Sequence, residues 1–496
     1  MTGPLEGPDA PDAPDALNAL DLAGRAVTVA GLGVSGISAA RALARLGAAV
    51  TVVDGGDGDT QRARADALAA DGITARLGDG DTLPPGTELV VTSPGWRPDS
   101  PLFAAAAAAG APVWGDVELA WRLRGTPGAS GAPWLAVTGT NGKTTTVRML
   151  AAILDAAGLR TAAVGNIGTP IVEVVLSGQP YDVLAVELSS YQLHWAPSLR
   201  AHSAAVLNLA PDHLDWHGSM AAYAADKGRI YTGNEVACVY NTADPATEEL
   251  VREADVVEGC RAVGFTLGPP GPSELGVVED LLVDRAFVAK RQQQAQELAQ
   301  IADIAPGGGP AAPPAPHTIA NALAAAALAR AFGVPATAVR DGLRAFTPDA
   351  HRIARVAEIG GVTYIDDSKA TNPHAAQASL AAYDPVVWIA GGLAKGATFD
   401  ELVAHAAGRL RGVVLIGAER HLIREALQRH APGIPVVDVD RTDDAAMTVA
   451  VRAAAGLARP GDTVLLAPAC ASMDMFAHYG RRGEAFAEAV RAGLPA

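Results

Sequence analysis

From Arg25 onward, short apolar runs alternate with Ala-rich stretches of helical spacing. "AVTVA" (26–30) is followed by a helical pattern, then "AAVTVVD" (48–54), another helical pattern, and "ELVVTSPG" (88–95). Unbroken apolar runs of this kind suit strands buried on both faces, and their alternation with helices is the βαβ signature of a mostly parallel sheet. A second block starts near Trp134, with "DVLAVEL" and "AHSAAVLNL" as later strands and "HTIANALAAAALARAFG" as a helix ending at Gly333. A third block follows "AFTPDAHR" and holds the strands "VTYIDD", "PVVWIAGG", "GVVLIG" and "DTVLLAP". The pattern predicts an α/β protein of three domains, at 20–122, 123–348 and 349–496, after a disordered tail at 1–19. The outer two are Rossmann-like, and the central one is a mostly parallel sheet carrying a phosphate loop.

The tail follows from composition: "PLEGPDAPDAPDA" has little to bury. The Gln-rich stretch at 291–300 runs into "APGGGPAAPPAPH", whose Pro/Gly part reads as a flexible surface loop. With 496 residues, 49% hydrophobic and 19% charged, the chain can build sizeable cores. A net charge of −16 argues against nucleic-acid binding and against adhesion to an anionic membrane. Three cysteines without CxxC spacing argue against a disulfide framework or a cysteine-zinc site. No signal-peptide pattern and no apolar run long enough to span a membrane are visible, so the cytoplasm is the expected compartment.

Four motifs carry chemistry. "GLGVSG" (31–36) lies between a strand and a helix, with Asp54 closing the next strand. A GxGxxG turn lets backbone approach a diphosphate at a helix N-terminus; a dinucleotide, another nucleotide diphosphate or a bare tight turn all remain open. "AVTGTNGKTTT" (136–146) places Gly139, Thr140, Asn141, Gly142, Lys143, Thr144 and Thr145 between strand and helix. Although Val137 takes the first glycine position of a full Walker loop, backbone N–H groups and Lys143 can cradle a nucleotide's phosphates, with Thr144 as a Mg²⁺ ligand. Glu187 ends "DVLAVE", where a carboxylate suits that Mg²⁺, and "NLAPDHLDWHG" supplies Asp212, His213, Asp215 and His217. His213 and His217 have i,i+4 spacing, but without HExxH zinc hydrolysis is disfavoured. Lys227 in "AADKGRIY" reads, on spacing alone, as a surface helix lysine. Finally "YIDDSKATNPHA" (364–375), "GGLAKGATF" (391–399) and "APACASMDMF" (467–476) are polar loops at three strand ends, which together make one crevice.

Taken in order, "GLGVSG", "GTNGKTTT", "GNIG", "ELSSYQL", "HLDWHG", "IDDSKATNPHA", "GGLAKGATF" and "APACASMDMFAHYGRRGEAF" resemble the Mur ligases, the ATP-dependent amide-forming enzymes of peptidoglycan precursor synthesis. The likeness covers nearly the whole chain beyond the tail, and is greatest to the members that add D-glutamate to UDP-N-acetylmuramoyl-L-alanine. It implies that the first domain holds uridine diphosphate rather than a nicotinamide, and that the substrate carboxylate attacks ATP to give an acyl phosphate. It also implies two Mg²⁺ ions, one on Thr144 and Glu187, the other on His213 and a Lys227 carbamylated by CO₂, which reverses the surface-lysine reading. Lys143, Glu187, His213, Lys227 and Lys369 become the implied catalytic set. Asn321, Arg352 and Asp367 join the 139–145 loop at ATP. Val34, Ser35, Asp54, Ser93, Asn166 and Gln192 match the UDP-sugar contacts, and Thr371, Lys395, Ser472 and Tyr479 the D-glutamate site. Thr318 stands where the family often has Asn, and Tyr479 where Phe is usual. A cytoplasmic monomer with small-molecule substrates is implied, with no nucleic-acid partner and no membrane insertion. A nicotinamide-dependent oxidoreductase would account for "GLGVSG" but leave the other motifs unused.

Overall fold

A computed structural model describes residues 22–304, 314–347, 350–443 and 445–493. The expected tail and most of the Pro/Gly loop lie outside the described residues. Three sheets carry the fold. The first has five parallel strands in the order Thr74–Leu77, Ala49–Asp54, Ala26–Ala30, Leu89–Thr92, Val113–Gly115. Strand Ala26–Ala30 sits at its centre, where the order reverses, and the "GLGVSG" turn leaves from its carboxyl end. That is where a doubly wound sheet opens a ligand crevice.

The second sheet has nine strands, in the order Gln296–Gln300, Leu281–Asp284, Glu274–Val278, Arg261–Phe265, Ala237–Asn241, Ser203–Val206, Trp134–Thr138, Leu184–Glu187, Ala163–Gly165. Its pairings are parallel except in the terminal ribbon Glu274–Gln300. Trp134–Thr138 is fully buried between Leu184–Glu187 and Ser203–Val206, so the phosphate loop, Glu187 and the segment leading to His213 all leave the same edge. Parallel strands force this, because all their carboxyl ends point one way.

The six-stranded third sheet runs Ala354–Ile359, Val362–Asp366, Thr463–Leu466, Val386–Gly391, Leu410–Ile416, Val436–Asp438, parallel except for the first strand. Alternate residues serve opposite faces: Ile365, Trp388 and Leu415 in one core, Tyr364, Ile389 and Val414 in the other.

By contact the chain groups into two compact units, the first of which holds two of the three sheets. The first holds the five- and nine-stranded sheets and includes Thr318–Phe346; the second holds the six-stranded sheet from Thr347. The reason lies in the core. One apolar cluster runs from Val29 and Leu43 through Val117 and Leu123 to Trp134, Val172 and Val206, so the first two sheets share buried surface.

Candidate active site

The phosphate loop is held from below. Gly142 caps the helix Lys143–Ala156 with a left-handed backbone, φ +85°, and a Cβ there would stand 2.4 Å from Asn321 Oδ1. Only glycine meets both demands without displacing Asn321. Asn208 pins the loop: its Oδ1 accepts from Asn141 N at 2.8 Å, its Nδ2 donates to Asn141 O at 3.1 Å, and its carbonyl accepts from Thr140 N at 2.9 Å. The Thr140 hydroxyl meets Tyr223 Oη at 2.9 Å. Thr144 and Thr145 follow in the first helical turn, both partly buried.

Two lysines converge on one carbonyl. Lys143 Nζ donates to Gly139 O at 2.8 Å and to Thr140 O at 2.9 Å. Lys227 Nζ donates to the same Gly139 O at 2.9 Å and to Thr138 Oγ1 at 3.3 Å. Lys227 is therefore no surface lysine; it is 1% exposed, on the helix Met220–Gly228. Burial first, and then the neighbouring Lys143, hold its ammonium well below the ordinary lysine range.

Glu187, 2% exposed, ends its strand beside this pair. Its Oε1 accepts from Asn166 Nδ2 at 2.9 Å, and its Oε2 is buried without a protein partner among the described residues. A carboxylate oxygen left so is costly unless a cation meets it. His213 is the N-cap of the short helix Leu214–His217, with φ +55°, and its ring lies 4.9 Å from that of Tyr191.

At the first sheet, Asp54 is spent on the turn itself: Oδ2 accepts from Leu32 N at 2.7 Å and Oδ1 from Gly56 N at 2.9 Å. Ser93 Oγ is buried without a partner among the described residues and abuts Gly31 and Gly36. Val34 is 68% exposed at the helix start. The Ser35 hydroxyl and Gln192 Nε2, the latter at 3.4 Å, both reach buried Asp116. Burial raises that carboxyl, and the two hydrogen bonds pull it back. The first two sheets are tied again by Arg97 donating to Asp215 O at 2.8 Å and Trp216 Nε1 donating to Trp96 O at 3.1 Å. A string of rings runs beside these ties: Trp96–Phe103 (6.0 Å), Phe103–Trp195 (5.0 Å), Trp195–His194 (4.7 Å), His194–Trp216 (5.1 Å) and Trp216–Tyr191 (4.7 Å).

In the second unit, the three polar loops leave adjacent parallel strands. Asp367 is buried, and burial pushes its carboxyl up to about 6 against hydrogen bonds from the Ser379 hydroxyl and Ile353 N. The Lys369 ammonium lies 4.1 Å from the centre of the Tyr479 ring. Buried Arg482 staples two loops: Nε donates to Ser368 Oγ at 3.0 Å, Nη2 to Ser368 O at 2.9 Å and Nη1 to Cys470 O at 3.0 Å. Leu393 and Ala471 exchange backbone hydrogen bonds of 2.9 Å, joining the loop of exposed Lys395 to the loop of buried Ser472. Thr371 precedes the N-cap Asn372, and Arg352 is partly buried next to His351.

The first unit thus brings together Gly139–Thr145, Asn166, Glu187, Lys227 and Asn321. The second gathers Asp367, Lys369, Thr371, Lys395, Ser472 and Tyr479 at one sheet edge. Sequence reasoning missed Asn208, Asp116, Asp226 and Arg482. Asn208 had a visible signal, a polar residue ending the run "AAVLN".

Comparison with known proteins covers the whole architecture. Residues 25–115 match the model of the Mur ligase MurD-like N-terminal domain, 137–329 the Mur ligase middle domain, and 351–470 the Mur ligase glutamate ligase domain. The chain is 76% identical to UDP-N-acetylmuramoylalanine–D-glutamate ligase of Streptomyces avermitilis over 94% of its own length and 98% of that protein's. It is 61% identical to the protein of the same name from Thermobifida fusca, over 95% and 99%. Among solved structures it resembles UDP-N-acetylmuramate-alanine ligase of Thermotoga maritima, with a TM-score of 0.56 and 18% identity over 95% of this chain and 100% of that one. A second is the MurF ligase of the same organism in complex with ADP, with a TM-score of 0.56 and 18% identity over 96% and 98%.

Proposed function

This chain belongs to the Mur ligase family, and from that premise we infer its reaction. It is an ATP-dependent amide ligase that joins D-glutamate to UDP-N-acetylmuramoyl-L-alanine in peptidoglycan precursor synthesis. The observation that carries this reading is the meeting of Lys143, Lys227 and Glu187 around one phosphate loop, in a chain similar to such a ligase over 94% of its length.

The substrate carboxylate attacks the γ-phosphate of ATP, and ADP leaves an acyl phosphate. Two anions must meet, so positive charge has to be concentrated between them. Lys143, at the N-terminus of its helix, supplies one fixed cation beside the backbone N–H groups. The unpartnered Glu187 oxygen fits a divalent cation, and Mg²⁺ there would screen the phosphate charge. By this reading Thr144 and Glu187 would hold one ion, and His213 with Lys227 a second.

Lys227 suits that role only after modification. Its buried amine, whose ammonium form burial disfavours, attacks CO₂, forms an N–C bond and releases a proton, which turns a base into an anionic oxygen donor. The neutral amine of D-glutamate then attacks the acyl carbon, and phosphate departs. Asp367, Arg352 and Asn321 serve the nucleotide, Lys369 the reacting phosphate, and Thr371, Lys395, Ser472 and Tyr479 D-glutamate. Val34, Ser35, Ser93, Asn166 and Gln192 serve the UDP-sugar, with Asp54 shaping the turn. The proposed setting is a cytoplasmic monomer; among the described residues no helix is long and apolar enough to cross a membrane.

The test is ATP-dependent phosphate release with UDP-N-acetylmuramoyl-L-alanine, offering D-glutamate, L-glutamate, L-alanine and a diamino acid in parallel. Release with D-glutamate alone is expected. Release with another amino acid keeps the ligase chemistry and overturns the acceptor; no release with Mg²⁺ and bicarbonate present overturns the reaction.

A further inference from the structure

One buried carboxylate outside the proposed ligand set joins the short helices around His213 and Lys227. Asp226 Oδ2 meets His217 Nδ1 at 2.9 Å and His194 Nδ1 at 3.0 Å, and Oδ1 meets His194 Nδ1 at 3.0 Å and Arg229 Nε at 3.3 Å. His217 Nε2 lies 2.9 Å from Ser190 Oγ. Ser190, His217 and Asp226 have the connectivity of nucleophile, base and orienter. Hydrolysis is excluded by exposure: Ser190 is 2% and the His217 side chain 0% accessible, so no substrate reaches the hydroxyl.

The cluster sits where three short helices meet. Helix Ser190–His194 starts three residues after Glu187, helix Leu214–His217 is capped by His213, and helix Met220–Gly228 carries Lys227. Helices of five, four and nine residues are not stable alone and must be fixed by tertiary contacts. Asp226 and Lys227 are neighbours on one helix, about 100° apart around its axis. One side chain therefore enters the helix cluster while the other enters the phosphate loop.

We propose that Asp226 is a positioning residue: its carboxylate, shared by His194 and His217, locks the three helices and so fixes Lys227 and His213 relative to Glu187. The proposal rests on the ligase reading above, with Glu187, His213 and Lys227 as the metal-facing set. Groups that orient a metal's ligands are typically worth about ten- to a hundredfold in metal affinity or activity. Asp226→Asn removes the negative charge and one acceptor and turns an N–H toward an imidazole, which must then change tautomer to accept it.

The experiment compares wild type, Asp226→Asn, His194→Phe and His194→Gln. His194→Phe keeps a ring beside Trp195 and Trp216 but removes the donor; His194→Gln restores a donor. Three quantities are read: the Mg²⁺ concentration for half-maximal phosphate release, the KM for D-glutamate, and the lysine carbamate signal in the ¹³C spectrum of metal-free protein in ¹³C-bicarbonate. Asp226→Asn should raise the Mg²⁺ requirement about ten- to a hundredfold and weaken the carbamate signal. The KM for D-glutamate, whose residues lie in the other unit, should not move, whereas general loosening would move it too. His194→Phe should follow Asp226→Asn, and His194→Gln should resemble wild type.

An unchanged Mg²⁺ requirement and carbamate signal in folded Asp226→Asn overturn the proposal. If that variant does not fold, equal behaviour of the two His194 variants overturns it. A wild type without Mg²⁺-dependent phosphate release refutes the ligase reading, and the carbamate comparison then still judges Asp226.

Discussion

At Asp367 two physical effects oppose each other: burial raises the carboxyl, and hydrogen bonds from the Ser379 hydroxyl and Ile353 N lower it. Burial raises the folded carboxyl to about 6 from 3.8, which costs about 3 kcal/mol of stability at neutral pH. That cost is lifted as pH falls through 6 toward 3.8, because the folded state then binds a proton the unfolded state lacks. Ser379 donates to the ionised form, so Ser379→Ala should destabilise the second unit by about 1.5–3 kcal/mol at pH ~7.5. The loss should shrink near pH ~5, where Asp367 is protonated. Urea unfolding at both pH values checks this, and equal losses would contradict it. Lys227 makes the second residue-scale case. Lys227→Ala should abolish turnover, with partial return on adding short carboxylic acids that place an oxygen anion where the carbamate would be. Full activity without additives would remove the carbamate from the mechanism. Neither residue announced its surroundings in the chain. The polar run "DDSK" after an apolar strand marks Asp367 as a candidate, but not its burial. The burial of Lys227 was not legible either, since "AADKGRIY" has a surface helix's spacing and its partners lie 88 and 89 residues away.

At the scale of elements, the central strands were the easy part. Parallel strands buried on both faces leave unbroken apolar runs, so "AVTVA", "DVLAVEL" and "PVVWIAGG" were each found within a residue or two of their ends. The ribbon at the rim of the nine-stranded sheet was not found. Its outer strand, "QELAQ", buries only Leu298 and Ala299, and a polar edge strand gives hydrophobic patterning nothing to detect. The stapling of loops was equally invisible, because Arg482 works over 114 residues of sequence. Its three hydrogen bonds to two loops suit a planar fork and not an ammonium. Arg482→Lys should therefore leave the sheet folded while raising the KM for D-glutamate about tenfold, the worth of one hydrogen bond to a charged group. Steady-state kinetics with unchanged circular dichroism would show it; an unaltered KM would mean the loops hold their places without the staple.

For the whole molecule, the sequence gives three α/β blocks, whereas contacts give two units, because block boundaries follow strand patterns and units follow shared cores. The six-stranded sheet has its own core on each face, so residues 350–496 expressed alone should unfold in one cooperative transition, measured by circular dichroism on heating. A fragment that melts without a transition would show that it depends on the rest of the chain.

The string of rings from Trp96 to Tyr191 has an optical consequence. Three of the seven tryptophans, Trp96, Trp195 and Trp216, lie along it, between the Gly31–Gly36 turn and His213. Indole emission responds to nearby imidazoles and to the polarity around the ring, and fluorophores this close exchange excitation. The protein thus carries its own light-emitting gauge. If the proposed sites stand, loading of the sugar nucleotide at one end and of metal at the other should change the colour and brightness of one shared signal, without any dye attached.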